Sequence, residues 1–232
     1  MLAYLILFFV GLISGSLVFL KKGLKKYINS LLSFSGAYLL SVSFLHLLPH
    51  LFEGESHDLG IYLLIGFFLQ LILDYFSGGI EHGHTHVNHK QIGKFPFLIF
   101  FSLCIHAFIE SFPLSHLSQE EGWSYLSGLS LHKAPIAFIL ASLLLAYKLP
   151  KVNIVIGILV FSLMAPLGAF WGSFISEDTQ IFKQLMAVSV GIILHLSTTI
   201  LFENNEEHLI KWKKLFPMLA GALLALLTLI GH

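Results

Sequence analysis

The sequence has few charged residues, a single cysteine and no arginine. Charged residues make up 11% of the 232 residues, against about 25% in an average soluble domain, so this chain cannot cover a water-facing surface. Its 13 basic residues, all lysines, balance 13 acidic residues, and no basic excess favours nucleic-acid binding. The lone cysteine, Cys104, excludes both a disulfide framework and a cysteine-based metal site.

Long apolar runs replace the missing charge. The chain is 56% hydrophobic, with a mean hydropathy of +0.84, and a helix needs about 20 apolar residues to cross a hydrocarbon core of about 30 Å. We therefore predict an all-α membrane protein with one polytopic domain over residues 1–232. The eight predicted spans are Met1–Leu20, Tyr27–Phe52, Leu59–Gly78, Phe95–His116, Trp123–Tyr147, Val152–Phe174, Gln184–Phe202 and Leu215–Gly231.

The first span could instead be a signal peptide. It lacks a basic region before its apolar run and a small-residue cleavage pattern after it, so we interpret Met1–Leu20 as a span.

The lysines predict an orientation. In the eight-span arrangement only Lys183 falls in the loops of one side, which also contain seven acidic residues. The positive-inside rule then places both termini outside the cytoplasm, and we expect a multi-pass protein of a bacterial inner (plasma) membrane. The lysines of the other side are Lys21, Lys22, Lys25, Lys26, Lys90, Lys94, Lys148, Lys151, Lys211, Lys213 and Lys214.

Histidine is abundant, with 13 residues, and ionisable side chains inside a bilayer are usually functional. His106 and Glu110 are four residues apart and share a helical face. At about 1.5 Å per residue, His106 lies about 16 Å into its span and His132 about 14 Å into the next. Two imidazoles and a carboxylate at one depth suit Zn(II), Fe(II) or Mn(II). A hydrogen-bonded cluster that braces two helices is the alternative.

Other histidines admit two readings. His46 and His50 share a face near the outer end of the second span. They form either an entry site for the metal or packing at the membrane interface. His195 lies about 16 Å into the seventh span. It either supplies a fourth ligand or forms a hydrogen bond between helices. On the cytoplasmic side, Asp74 is either part of the metal exit, together with Glu203 and His208, or a solvated helix end.

The longest polar stretch is the loop Gly79–Lys94. It is rich in histidine and reads as a weak cytoplasmic metal-binding tract, or alternatively as a solvated loop without a metal role. Its candidate ligands are His82, His84, His86 and His89.

Four motifs resemble those of the ZIP (Zrt/Irt-like) metal-ion transporters. His46-Leu47-Leu48-Pro49 resembles the family's HLLP-E/D motif, and His106-Ala107-Phe108-Ile109-Glu110 resembles H-N-x-x-D/E. His132-Lys133-Ala134-Pro135 resembles the span-five motif in its H-K-x-P variant, and Pro166-Leu167-Gly168-Ala169 resembles the PLGA of span six. The resemblance extends over essentially the whole chain and implies an eight-helix transporter.

Three departures from the family pattern concern the number of metals. Ala107 stands where an asparagine ligand is usual, Lys133 where an acid is usual, and Ile136 where another acid or histidine is usual. The resemblance therefore implies one metal site, made by His106, Glu110 and His132. We expect the Lys133 ammonium to substitute for the second cation and to lie beside Glu110 or another acceptor.

These observations predict transport of divalent metal ions into the cytoplasm, with Zn²⁺ as the first candidate substrate, iron, manganese or cadmium as others, and no enzymatic activity. The expected partners are metal ions and lipid, and a homodimer is left open. One alternative is an intramembrane metal-dependent hydrolase, although the chain lacks H-E-x-x-H. The other is a metal sensor without transport.

The orientation gives a direct test. Single cysteines placed at Ser56 and at Lys90 should react with a membrane-impermeant reagent from opposite sides of the membrane, because one predicted span, Leu59–Gly78, lies between them. Labelling of intact cells and of inverted vesicles measures this. Reaction of both cysteines from the same side would contradict the eight-span arrangement.

Overall fold

The computed structural model describes residues 1–20, 25–53, 58–83, 92–202 and 212–230. Within these ranges the chain is helical and contains no strand. The helices are α1 (Leu2–Ser16), α2 (Lys25–Val42), α3 (Leu48–Leu51), α4 (Leu59–Ser77), α5 (Phe97–Glu110), α6 (Gln119–Ala146), α7 (Lys151–Gly172), α8 (Gln180–Phe202) and α9 (Trp212–Ile230).

The predicted all-α bundle of eight apolar helices is confirmed. A π-helical segment, Ser43–Leu47, joins α2 to α3, so these elements form one continuous span, Tyr27–Leu51. Seven helices are long and apolar enough to cross a membrane, while the last contains a shorter apolar stretch, Lys214–Thr228.

The fourth predicted span, Phe95–His116, is not one continuous helix. Helix α5 ends at Glu110, and a separate 3₁₀ turn covers Phe112–Ser115. Pro113 explains the break, because it has no N–H to donate to the carbonyl of Ile109, four residues earlier. Glu110 therefore lies at the carboxyl end of α5 rather than inside a helix.

The helix that contains the fifth predicted span, Trp123–Tyr147, begins before that span. Helix α6 starts at Gln119, four residues before the predicted Trp123, because Ser118 caps it. The Ser118 hydroxyl accepts a hydrogen bond from the Glu121 backbone N–H at 3.3 Å and donates one to the Glu121 carboxylate at 2.7 Å. This Ser-x-x-Glu pattern is a helix start signal.

Backbone contacts at glycines hold the helix pairs together. A methyl group at Gly66 of α4 would overlap the Val188 carbonyl of α8, and one at Gly191 of α8 would overlap the Leu63 carbonyl of α4. Helices α5 and α7 meet in the same way where Gly168 lies against the Phe108 carbonyl. Small residues of this kind allow close helix approach in lipid, and this contact fixes α5 against α7.

The glycine contact between α4 and α8 can be tested on one helix. Gly66→Ala should lower stability by about 1–3 kcal/mol, because its methyl group pushes α8 away. Gly60→Ala is the matched control: no atom lies within 4 Å of its added methyl group, and alanine favours the helix. Thermal unfolding of the detergent-solubilised proteins measures both. Equal melting temperatures for the two variants would contradict this packing.

Candidate metal site

The three predicted metal ligands, the trio His106, Glu110 and His132, converge between α5 and α6. The ligand atoms of His106, Glu110 and His132 all lie within 4.8 Å of one another, and no other group of three or more such residues in the described ranges meets this condition. His106 Nε2 is 3.0 Å from Glu110 Oε2, and the two imidazole centroids are 6.0 Å apart. The i, i+4 spacing thus places the first two ligands together, and helix packing supplies the third.

His132 is the member of the trio whose ring nitrogens other protein groups satisfy least. Its side chain is fully buried, at 0% exposure, yet neither ring nitrogen has a hydrogen-bond partner among the described residues. A buried polar group without a partner is costly. A metal ion at the meeting point of the three side chains would bind one of these nitrogens and neutralise the Glu110 carboxylate.

Helix α6 also fixes the backbone at Glu110. The Tyr125 hydroxyl donates a hydrogen bond to the Glu110 carbonyl, which lacks a helical partner because α5 ends there. Ser189 of α8 donates to the neighbouring Ile109 carbonyl at 2.9 Å. Two other helices thereby hold the end of α5, and with it the position of the carboxylate.

A second polar cluster continues from His106 toward the lysine-rich side of the bundle. The Asp74 carboxylate is 3.0 Å from His82 Nε2 and 3.5 Å from His195 Nδ1, and buried Glu81 is 3.9 Å from His106 Nδ1. Burial raises the pKa of the Glu81 carboxyl to about 8. Gln70, also buried, joins these groups by hydrogen bonds.

Three residues that the sequence analysis assigned to other sites, Asp74, His82 and His195, lie in this second cluster. His195 faces Asp74 and the Phe67 ring and is not in the group with His106. His82 is buried at the start of the loop, while His84, His86 and His89, like Glu203 and His208, lie outside the described residues. The sequence analysis missed Gln70 and Glu81. The presence of Gln70 in an apolar span, four residues before Asp74, was the available signal.

The two outer histidines lie apart from the trio. His46 is buried within the π-helical segment Ser43–Leu47, and the following Pro49 cannot donate a helical hydrogen bond. His50 Nε2 lies 3.5 Å from the exposed Glu177 carboxylate. His50 and Glu177 line a pocket together with Leu51, Glu53, Asp178, Phe182, Lys183 and Met186.

Lys133 is fully buried, and its ammonium contacts helix α7. Its ammonium donates to the Phe161 carbonyl at 3.4 Å and lies 4.8 Å from the Phe161 ring centroid, and within the described ranges it forms no ion pair with Glu110. Gly11 leaves room for it, since a methyl group there would be 3.1 Å from Lys133 Cε. The acceptor beside Lys133 is therefore a backbone carbonyl of α7, not the Glu110 carboxylate.

The comparison with family models identifies the group of proteins. The model described as "ZIP Zinc transporter" matches residues 81–229, more than half of the 232-residue chain. The chain belongs to the ZIP zinc transporter family. The match contains all three residues of the trio, whereas His46 and His50 precede it. A search of the curated proteins found no match.

Membership in the ZIP family agrees with the helices. The ZIP family is a family of transporters, and this member is an integral, multi-pass membrane protein. Its trio comes from the H-x-x-x-E and H-K-x-P segments on which the sequence resemblance was based.

The trio should bind one zinc ion per chain. With His84, His86 and His89 replaced by serine, the purified protein should contain one tightly held zinc, and His132→Ala should remove it, because one of only three ligands is lost. His116→Ala is the control: this imidazole contacts the Ile175 carbonyl at 2.9 Å, outside the trio. Elemental analysis gives the zinc content. Unchanged zinc in His132→Ala would contradict the assignment.

Proposed function

We propose that this ZIP family member carries a divalent transition-metal ion into the cytoplasm and binds it at the trio. The metal is the transported substrate and not a resident cofactor. The observation that supports this most strongly is the convergence of three buried candidate ligands on one point, while neither nitrogen of His132 has a hydrogen-bond partner among the residues that the structure describes. A hydrogen-bonded brace between helices would instead use those nitrogens.

Zinc is the first candidate because of the donor set. Imidazole nitrogen and carboxylate oxygen are ordinary zinc ligands, and three protein ligands leave a coordination position open for water or exchange. The same donors also bind iron, manganese and cadmium, so these ions are the natural competitors. Thiolate ligation plays no part, since Cys104, the single cysteine, is not one of the three residues of the trio.

The path runs from the pocket beside His50 and Glu177, past the trio, to Asp74 and His82. Both ends offer carboxylate and imidazole groups, so a cation meets suitable donors on either side of the central site. The lysine distribution makes the Asp74 side cytoplasmic. Metal then leaves toward the loop Gly79–Lys94, by alternating access around a central site.

One metal per chain is the proposed stoichiometry at the centre. Ala107 follows His106 but offers no ligand atom, Ile136 is apolar, and Lys133 is directed to α7. The ammonium also adds positive charge close to the site, and two nearby cations repel strongly in a medium of low dielectric constant. A bacterial inner membrane and outward-facing termini complete the proposal, and a homodimer is left open.

Flux through purified protein tests this function. In proteoliposomes, His106→Ala, Glu110→Gln and His132→Ala should each lower zinc uptake by more than about 100-fold, since even partners behind metal ligands contribute 10–100-fold to affinity or activity. Glu121→Gln is the matched control for Glu110→Gln, because its carboxylate only caps α6. Radioactive zinc measures the initial rate, with iron, manganese and cadmium as competitors.

Two outcomes would contradict transport through the trio. Wild-type flux in correctly folded Glu110→Gln would show that the metal crosses elsewhere. Saturable zinc binding without flux in the wild-type protein would favour a metal sensor, and zinc-dependent cleavage of lipid or peptide without flux would favour a hydrolase.

A further inference from the structure

Gln70 of α4 is buried at 0% exposure and makes three side-chain hydrogen bonds. Its amide nitrogen donates to Asp74 Oδ1 at 2.7 Å and to Glu81 Oε2. Its amide oxygen lies 2.9 Å from Nδ1 of His106. One neutral side chain thus connects a proposed metal ligand to two carboxyl groups.

The carboxyl groups determine which way the amide faces. A side-chain amide has one accepting and one donating end, and the Asp74 carboxylate accepts hydrogen bonds from the donating end. The amide oxygen of Gln70 must then face His106, so Nδ1 of that imidazole carries the hydrogen. Nε2 is then the nitrogen that remains for a metal ion, and it faces Glu110, 3.0 Å from its carboxylate oxygen.

We propose that Gln70 is a positioning residue for the metal site. It holds His106 in the Nδ1–H form and fixes the ring so that Nε2, rather than Nδ1, binds the metal. This inference rests on the proposed metal site, and it adds α4 to the two helices that build that site. A hydrogen bond behind a ligating histidine commonly fixes its tautomer and raises its basicity.

The position of Gln70 is itself held by helix packing. Gly66 precedes it by one helical turn on the same face, and there the α4 backbone contacts the Val188 carbonyl of α8 directly. Hydrogen bonding to Asp74, one turn later on the same helix, restricts the side chain from the other direction. The amide therefore presents its oxygen to His106 from a fixed backbone.

Gln70→Met separates this role from simple packing. Methionine keeps the length and removes every hydrogen bond, so the zinc dissociation constant should rise about 10–100-fold. Tyr38→Phe is the control: it removes a buried hydrogen bond between α2 and α6 without touching the imidazole, and it should leave zinc affinity unchanged. Titration of purified protein with zinc, with His84, His86 and His89 replaced by serine, measures both.

The ring nitrogens of His106 give a readout that packing alone would not change. In ¹⁵N-histidine-labelled, zinc-loaded wild-type protein, His106 Nδ1 should be protonated and Nε2 should show the zinc-bound shift, with the signals assigned by their loss in His106→Ala. Gln70→Met should produce a mixed population, and Gln70→Glu, which keeps an acceptor for Nδ1–H, should restore the wild-type pattern.

The proposal would be overturned by zinc on Nδ1 in the wild-type protein, a result that needs no folded variant. Unchanged affinity and an unchanged nitrogen pattern in Gln70→Met would overturn it as well. If His106→Ala itself binds zinc like wild type, the proposed metal site fails rather than the role of Gln70, so the two failures are distinguishable.

Discussion

The Glu110 carboxylate needs a positive partner inside a bundle that lipid surrounds, and the rest of the site follows from that requirement. A buried carboxylate is strongly unfavourable unless hydrogen bonds or a cation compensate it. The buried Lys133 ammonium donates a hydrogen bond to the Phe161 carbonyl, and His106 supplies one contact to the carboxylate. His132 adds two ring nitrogens that have no hydrogen-bond partner within the described part of the chain. A divalent metal ion satisfies all of these groups at once, which is why we interpret the trio as a transport site.

The polar groups are distributed unevenly around this centre. Between the trio and the lysine-rich side, Gln70, Glu81, Asp74 and His82 form a connected chain of hydrogen bonds. Toward the opposite side the described residues offer the pocket beside His50, where the Glu177 carboxylate is exposed. A cation that leaves the trio inward would therefore pass from one donor to the next within the protein.

The sequence was sufficient for the features that depend on local patterns. Apolar runs located the helices, and the i, i+4 spacing with matching depth brought His106, Glu110 and His132 together. It did not give the local details that single residues determine: α5 ends at Glu110, shortly before Pro113, and Ser118 caps α6 at Gln119. The direction of Lys133 was also unpredictable from sequence, because it depends on the space that Gly11 leaves on a distant helix.

Anomalous diffraction from crystals grown with zinc tests the central claim most directly. The account predicts a zinc peak between α5 and α6, about 2.0–2.2 Å from one nitrogen of each imidazole and from a Glu110 oxygen. The same peak should disappear in Glu110→Gln crystals. Zinc peaks confined to the surface or to the loop Gly79–Lys94, with the trio free of metal at saturating zinc, would contradict it.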